Sequence, residues 1–462
     1  TLEELQAFEH DEQPDAWERL VDGLLARPEY GERWGRHWLD LVRYAQTSGY
    51  ERDEEKPLAW RYRDWVIDAF NADMPYDRFI LEQLAGDELP DASPGSAIAT
   101  GFYRLGVWDS EPDDDALADY DELDDTLRTI SEGFMGLTVG CCRCHDHKFD
   151  PLPQEDYYSL LAFLRNVQPY SPPKYALDSP TLTPLDLDWR KATAWERGRR
   201  DSIAALGREE SRLRELGRQR ALQKELANRP QLAAAQALPP EQRTPDQQRS
   251  LASLLEHKWT EGEIVGALEI EDARRLGKVM LDQEVVADSY PGDLDWALTV
   301  RELGGGPLPT RLLVRGKPST PAQEVPLRFP RVLFPSDEAA LVTDVTRPPG
   351  AASSGRRLAL ARWIASPSHP LTARVLVNRV WQHHFGRGLV ATPNDFGHNG
   401  EAPSDPQLLD WLADEFVQDG WSIKRLQKLV MMSDAYRRSS VAGDEAAVAK
   451  DPANALLWRQ NR

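Results

Sequence analysis

All three cysteines of the 462-residue chain fall within Cys141-Cys142-Arg143-Cys144. No disulfide can therefore tie distant segments together, and the fold must rest on buried apolar surface. The surrounding stretch, from Gly140 to Pro151, also holds two of the nine histidines, His145 and His147. Within it Cys141, Cys144 and His145 form C-x-x-C-H, the pattern by which c-type haem is attached. Two thiols three residues apart on a helical turn share one face, where they can add to the two vinyl groups on one edge of a porphyrin. His145, the next residue, is then carried under the ring as the proximal iron ligand. Cys142 sits off that face. Two other chemistries fit the same residues. Cys141 and Cys144 can close a short-loop disulfide, and His145, His147, Asp146 and Asp150 with Cys144 can hold zinc or another divalent ion.

Periodicity makes the chain mainly α. Ala16-Trp17-Leu20-Val21-Leu24-Leu25, Trp34-His37-Trp38-Leu41-Tyr44 and Trp65-Val66-Ala69-Phe70 all follow helical spacing. His37 thus falls on an apolar face beside Trp34 and Trp38, as a core histidine or as the sixth ligand of a haem iron. The run Leu127-Ile130-Phe134-Leu137 reads as a helix delivering the cysteines, and Tyr157-Leu160-Leu161-Leu164 as one folding back over them. Near the C-terminus, Val377-Val380-Trp381-His384, Leu408-Trp411-Leu412-Phe416 and Leu426-Leu429-Val430 are helical, with Asp405-Pro406 an N-cap and first-turn pair. His384 falls on an apolar face there, whereas His383 is expected to be exposed.

The expected architecture is a multi-domain helical protein: a helical module over 1–165, a middle region over 166–350, and a second helical module over 351–462. Five prolines between 166 and 188 mark a linker, and 189–284 reads as an inserted helical hairpin. Ala297–Val300 and Arg311–Val314 around Gly304-Gly305-Gly306 suggest a small β element. The acidic run from Asp109 to Asp125 is expected to be a solvated face, its spacing matching no EF-hand loop.

With 41% hydrophobic and 28% charged residues the composition is that of a water-soluble globular chain, and no apolar run reaches the length of a membrane span. A formal charge of −21 repels phosphate backbones, which argues against nucleic acid as a partner. The chain opens at Thr1 without an apolar leader and stops at Arg462 inside a helical pattern, so we expect it to be a piece of a longer precursor. Because c-type attachment takes place outside the bacterial inner membrane, a signal peptide and export to the periplasm or cell surface are expected.

Several long runs carry a resemblance. GLTVGCCRCHDHKFDPLPQEDYYSLLAFL at 136–164, RWGRHWLDLVRYAQTSGYE at 33–51 and WRYRDWVIDAFNADMPYDRFILEQLAGDELP at 60–90 resemble the planctomycete cytochrome-C-associated family of uncharacterised function. NRVWQHHFGRGLVATPNDFG at 378–397 and LLDWLADEFVQDGWSIKRLQKLVMMSDAYRRSS at 408–440 resemble the uncharacterised module that usually follows it. The family pattern has a small residue such as Ala where this chain has Cys142. The resemblance implies an exported protein, often with a separate cytochrome domain in the same precursor, and no known reaction.

Three functional classes follow. The leading expectation is an exported haem c protein in electron transfer or another redox reaction, with haem held by Cys141, Cys144 and His145, His37 as sixth ligand, and a redox partner or a cytochrome domain of the same precursor. The second is a non-haem metal-dependent hydrolase centred on His145, His147, Asp146 and Asp150, for which no nucleophile or general base is identifiable. The third is a non-catalytic polysaccharide-binding protein using some of the fifteen Trp residues as stacking platforms. Whether the protein is an enzyme is left open by the sequence.

Overall fold

Apolar residues at three- and four-residue spacing put most of the chain into helices. The computed structural model is 57% helical, with nineteen α-helices and two small two-stranded sheets among the described residues. It describes residues 1–172, 179, 181–185, 189–287, 289, 295–303, 306–346, 353–441 and 445–461. These form two compact units, one of Thr1–Pro173, Pro180–Leu185 and Trp296–Arg462, the other of Lys174–Ser179 and Asp186–Asp295.

In the first unit the periodic runs fold as expected. The apolar stripes of Ala16–Leu25, Pro28–Leu41 and Ala59–Asn71 bury Val21, Leu25, Trp38, Trp65 and Phe70. Trp38 is 4% exposed and its indole N–H donates to Gln83 Oε1 at 2.9 Å, so a polar atom enters the core with its partner. The core runs on without interruption into the C-terminal part. Tyr76 packs against Phe416 and Trp421, and its N–H donates to the Trp421 carbonyl at 3.0 Å. The Pro406–Gln418 helix starts as read, with Asp405 accepting from the Leu408 N–H at 3.0 Å and Pro406 in the first turn.

Charge joins the same parts. Arg357 is fully buried and its guanidinium donates to both oxygens of Asp87 at 2.8 Å and to Glu302 at 3.1 Å, with Glu88 3.0 Å away. Three carboxylates from two distant segments thus share one buried cation. Buried Arg379 donates to the Glu132 carbonyl at 2.8 Å and to the Gly133 carbonyl, closing the end of the helical run that leads to the cysteines.

The expected small β element is present as two antiparallel pairs, Trp296–Leu298 with Leu182–Pro184 and Thr310–Leu313 with Pro321–Val325. Gly304 and Gly305 lie outside the described residues. The latter half of the acidic run is not a solvated face, because it belongs to the Asp115–Ile130 helix and meets cations there. Asp125 accepts from Arg43 at 2.7 Å, Glu122 from the Tyr170 N–H at 2.9 Å, and Asp124 is 6% exposed.

The second unit is the expected helical insertion. Trp189–Asn228 spans 40 residues, with Ile270–Ala287 packed on it through Leu213, Leu276 and Val279. Arg220 and Asp272 join these helices at 2.9 Å.

Candidate functional site

The Asp115–Ile130 helix begins at Asp114, whose side chain accepts from the Leu117 N–H at 3.1 Å, and continues as a π-turn over Ser131–Met135. Gly136 then takes a left-handed conformation at φ 60°, which a residue with a Cβ adopts only at a cost. The reversal leads into a 3₁₀ turn over Val139–Arg143. Side chains three apart on a 3₁₀ turn eclipse, so Cys141 and Cys144, the residue closing the turn, share a side. Both are exposed and unbonded, whereas Cys142 is 1% exposed and its thiol donates to the Leu152 carbonyl at 3.4 Å. Burial pushes the Cys142 thiol up to about 12, which leaves it a core group.

Three further segments hold this turn. Arg143 extends its guanidinium to Asp121 at 2.5 Å and Asp124 at 3.4 Å. Its carbonyl accepts from Gln154 Nε2 at 2.8 Å and from the Tyr158 hydroxyl at 2.9 Å. Gln154 Nε2 also donates to the Leu313 carbonyl at 3.1 Å, which fastens the Thr310–Leu313 strand to the turn. The loop after that strand brings Gly316, at φ 71°, so close that a Cβ built there would sit 3.0 Å from Cys144 Sγ.

The histidines of the motif divide into two kinds. His145 is exposed, and its Nδ1 lies 2.6 Å from the Asp146 carbonyl. A carbonyl only accepts, so the proton is on Nδ1 and the Nε2 lone pair is free, the tautomer that a metal-ligating imidazole takes. His147 is held inside. Its Nδ1 accepts from the N–H groups of Asp150 at 2.8 Å and Phe149 at 3.3 Å, and Nε2 donates to Thr138 Oγ1 at 3.2 Å. Asp146 accepts from the Gln154 N–H at 2.8 Å, capping the Gln154–Leu161 helix. Asp150 is buried, with Oδ1 accepting from the His398 N–H at 2.5 Å and Oδ2 pressed against Gly397, where a Cβ would lie 2.4 Å away. His147 thus spends both ring nitrogens within the loop, and Asp146 and Asp150 each give one carboxylate oxygen to a backbone N–H, while Cys141, Cys144 and His145 stand exposed.

The structure places His37 elsewhere in its contacts. Its ring stacks on His383 with centroids 3.7 Å apart and meets the edge of Trp34 at 5.5 Å. His383 is exposed as expected, yet engaged, and His384 stacks on Trp34 at 5.5 Å. Among the described residues no three His, Cys, Asp or Glu side chains are grouped so as to hold a metal ion.

The sequence reading missed the grip of the C-terminal part on the motif. Phe396 donates its N–H to the Gly136 carbonyl at 2.8 Å, and the next two residues wrap Asp150. The signal available was the turn-rich run Asp395-Phe396-Gly397-His398-Asn399-Gly400, which marks a tight loop without saying what it covers.

Residues 1–169 match the family model PSCyt2, a protein of unknown function (DUF1549), and residues 356–462 match PSD1, a protein of unknown function (DUF1553). No curated protein and no solved structure matches the chain.

Proposed function

For a chain that carries a PSCyt2 module followed by a PSD1 module, we propose that it is a c-type haem-binding redox protein, with Cys141 and Cys144 as attachment thiols and His145 as an iron ligand. The observation that carries this reading is the sorting of donor atoms in one short loop. The two thiols at the right spacing are exposed and unbonded, the third thiol is buried, and His145 presents Nε2 outward with Nδ1 tied to a carbonyl. Each thiol S–H can add across a vinyl double bond, the sulfur bonding to one carbon and the hydrogen passing to the other, with no net oxidation. Bound haem would supply one-electron chemistry at its iron. The fixed Arg143 carbonyl, the Asp146–Gln154 cap and the Asp150–His398 contact hold the loop rigid enough to keep three attachment points in register. Such attachment requires an exported chain, and among the described residues no helix is long and apolar enough to cross a membrane.

The test is expression with export and a cytochrome c maturation system. Intact mass is expected to show one haem that survives denaturation, Cys141→Ser or Cys144→Ser to leave a single thioether, and His145→Ala to change the iron's visible spectrum. An apoprotein under those conditions would sink the reading.

A further inference from the structure

We propose that two copies of this chain associate through the outer face of the Ile270–Ala287 helix, paired antiparallel about a two-fold axis. The helix packs on Trp189–Asn228 through Leu276 and Val279, both buried. At about 100° per residue, the face turned away from that contact carries Ile270, Arg274, Gly277, Leu281 and Val285. A helix lying on a protein's surface ordinarily presents polar residues to water. Ile270, Leu281 and Val285 are instead 71%, 58% and 61% exposed, so the helix has a second apolar stripe with nothing over it.

Gly277 stands in the middle of that stripe. Glycine inside an exposed helix costs about 1 kcal/mol against alanine. No atom lies within 4 Å of the place its Cβ would take, so no described neighbour requires the position to be small. A gap of this kind lets another helix come close, and the side chain that fits it is on the same face. When two copies of the helix are laid antiparallel with Gly277 opposite Leu281, the two-fold axis also sets Leu281 opposite Gly277, and each leucine fills the other copy's gap. The same register puts Val285 against Ala273, with Ile270 one turn further out.

Charge selects the occupant and its direction. Arg274 and Glu284 are both exposed, and among the described residues neither belongs to an ion pair. In the register set by Gly277 and Leu281 each arginine faces the other copy's Glu284, twice per dimer, whereas a parallel pair would set arginine against arginine and glutamate against glutamate. An unrelated partner would have to match the stripe, the gap and both charges; a second copy matches them by symmetry. The contact is a single helix of 18 residues, about 27 Å long. It falls at the small end of specific interfaces, which makes the dimer reversible at micromolar concentrations. The pairing uses no residue of the cysteine turn and stands whether or not haem is attached.

The experiment is sedimentation equilibrium of the full chain with Cys141→Ser and Cys144→Ser, so that no disulfide-linked dimer is counted, over about 1–300 µM. The mass is expected to rise from one chain towards two. Leu281→Lys should stay at one chain throughout, with its helical ellipticity unchanged because the side chain is exposed. Arg274→Glu should weaken association about tenfold, since each dimer holds the ion pair twice, and Arg274→Glu combined with Glu284→Arg should restore it. A single chain's mass at every concentration, a dimer that survives Leu281→Lys, or a double reversal no tighter than Arg274→Glu alone would overturn the proposal.

Discussion

Cys142 shows how one position can be read from the sequence for its place and not for its partner. The spacing put it off the face of Cys141 and Cys144, and it is indeed buried; nothing in the sequence indicated that it would face Leu152 across the loop. A thiol pushed up to about 12 and 1% exposed has almost no thiolate at pH 8. Iodoacetamide on the native apoprotein should therefore add two labels, at Cys141 and Cys144, with the third appearing only after denaturation; mass mapping that finds Cys142 labelled in the native protein contradicts the structure. His369 carries a second residue-level prediction. Its Nδ1 accepts from the Leu371 and Thr372 N–H groups, each at 3.2 Å, and caps the helix that follows, while burial lowers it to about 4 from an ordinary 6.5. A base with a depressed folded value binds fewer protons folded than unfolded between the two values. Stability should hold above pH 6.5 and fall as the pH drops from there towards 4, and the part due to this group should vanish in His369→Asn when denaturation midpoints are compared across that range.

At the scale of elements, helices were legible and pairings were not. Helical spacing is a local property, so Ala16–Leu25, Ala59–Asn71 and Pro406–Gln418 appear where the apolar stripes put them. Strand pairing is nonlocal: Ala297 and Leu298 have the right composition, but nothing near them in sequence points to Leu182 and Thr183 as partners. The acidic run failed for a related reason, since its spacing cannot say that Arg43 and Arg143 will meet it. The junction before the cysteine turn is the element most exposed to a single change. Gly136 has φ 60°, its carbonyl accepts from Phe396, and a Cβ there would lie 2.8 Å from the Phe396 ring. Gly136→Ala adds the left-handed cost of about 1–2 kcal/mol and an overlap that the ring cannot fully relieve. It should lower unfolding stability by at least about 2 kcal/mol in urea titration and reduce haem loading in parallel; unchanged stability would mean the turn does not depend on this glycine.

For the whole molecule, the chain order hides the assembly. The matched modules at 1–169 and 356–462 contribute to one compact unit, tied by the Trp17 indole donating to Met431 at 3.0 Å, by Tyr76 against Trp421, and by Arg357 among Asp87, Glu88 and Glu302. Removing the C-terminal part uncovers these groups, including carboxylates left without their buried cation, a loss of the kind that costs roughly 3–5 kcal/mol by itself. A fragment of residues 1–172 should therefore lack a cooperative unfolding transition. The 186–295 region is different, because the strands on either side of it pair: Pro184 lies opposite Trp296, Thr183 opposite Ala297 and Leu182 opposite Leu298. Facing residues of an antiparallel pair are about 5 Å apart, a gap that a two-residue turn closes. Replacing 185–295 by Asn-Gly should convert the pair into a hairpin and leave a protein that unfolds in a single transition and still takes up haem. Aggregation of that excised chain together with cooperative folding of the 1–172 fragment would show that the assembly of the first unit has been assigned to the wrong segments.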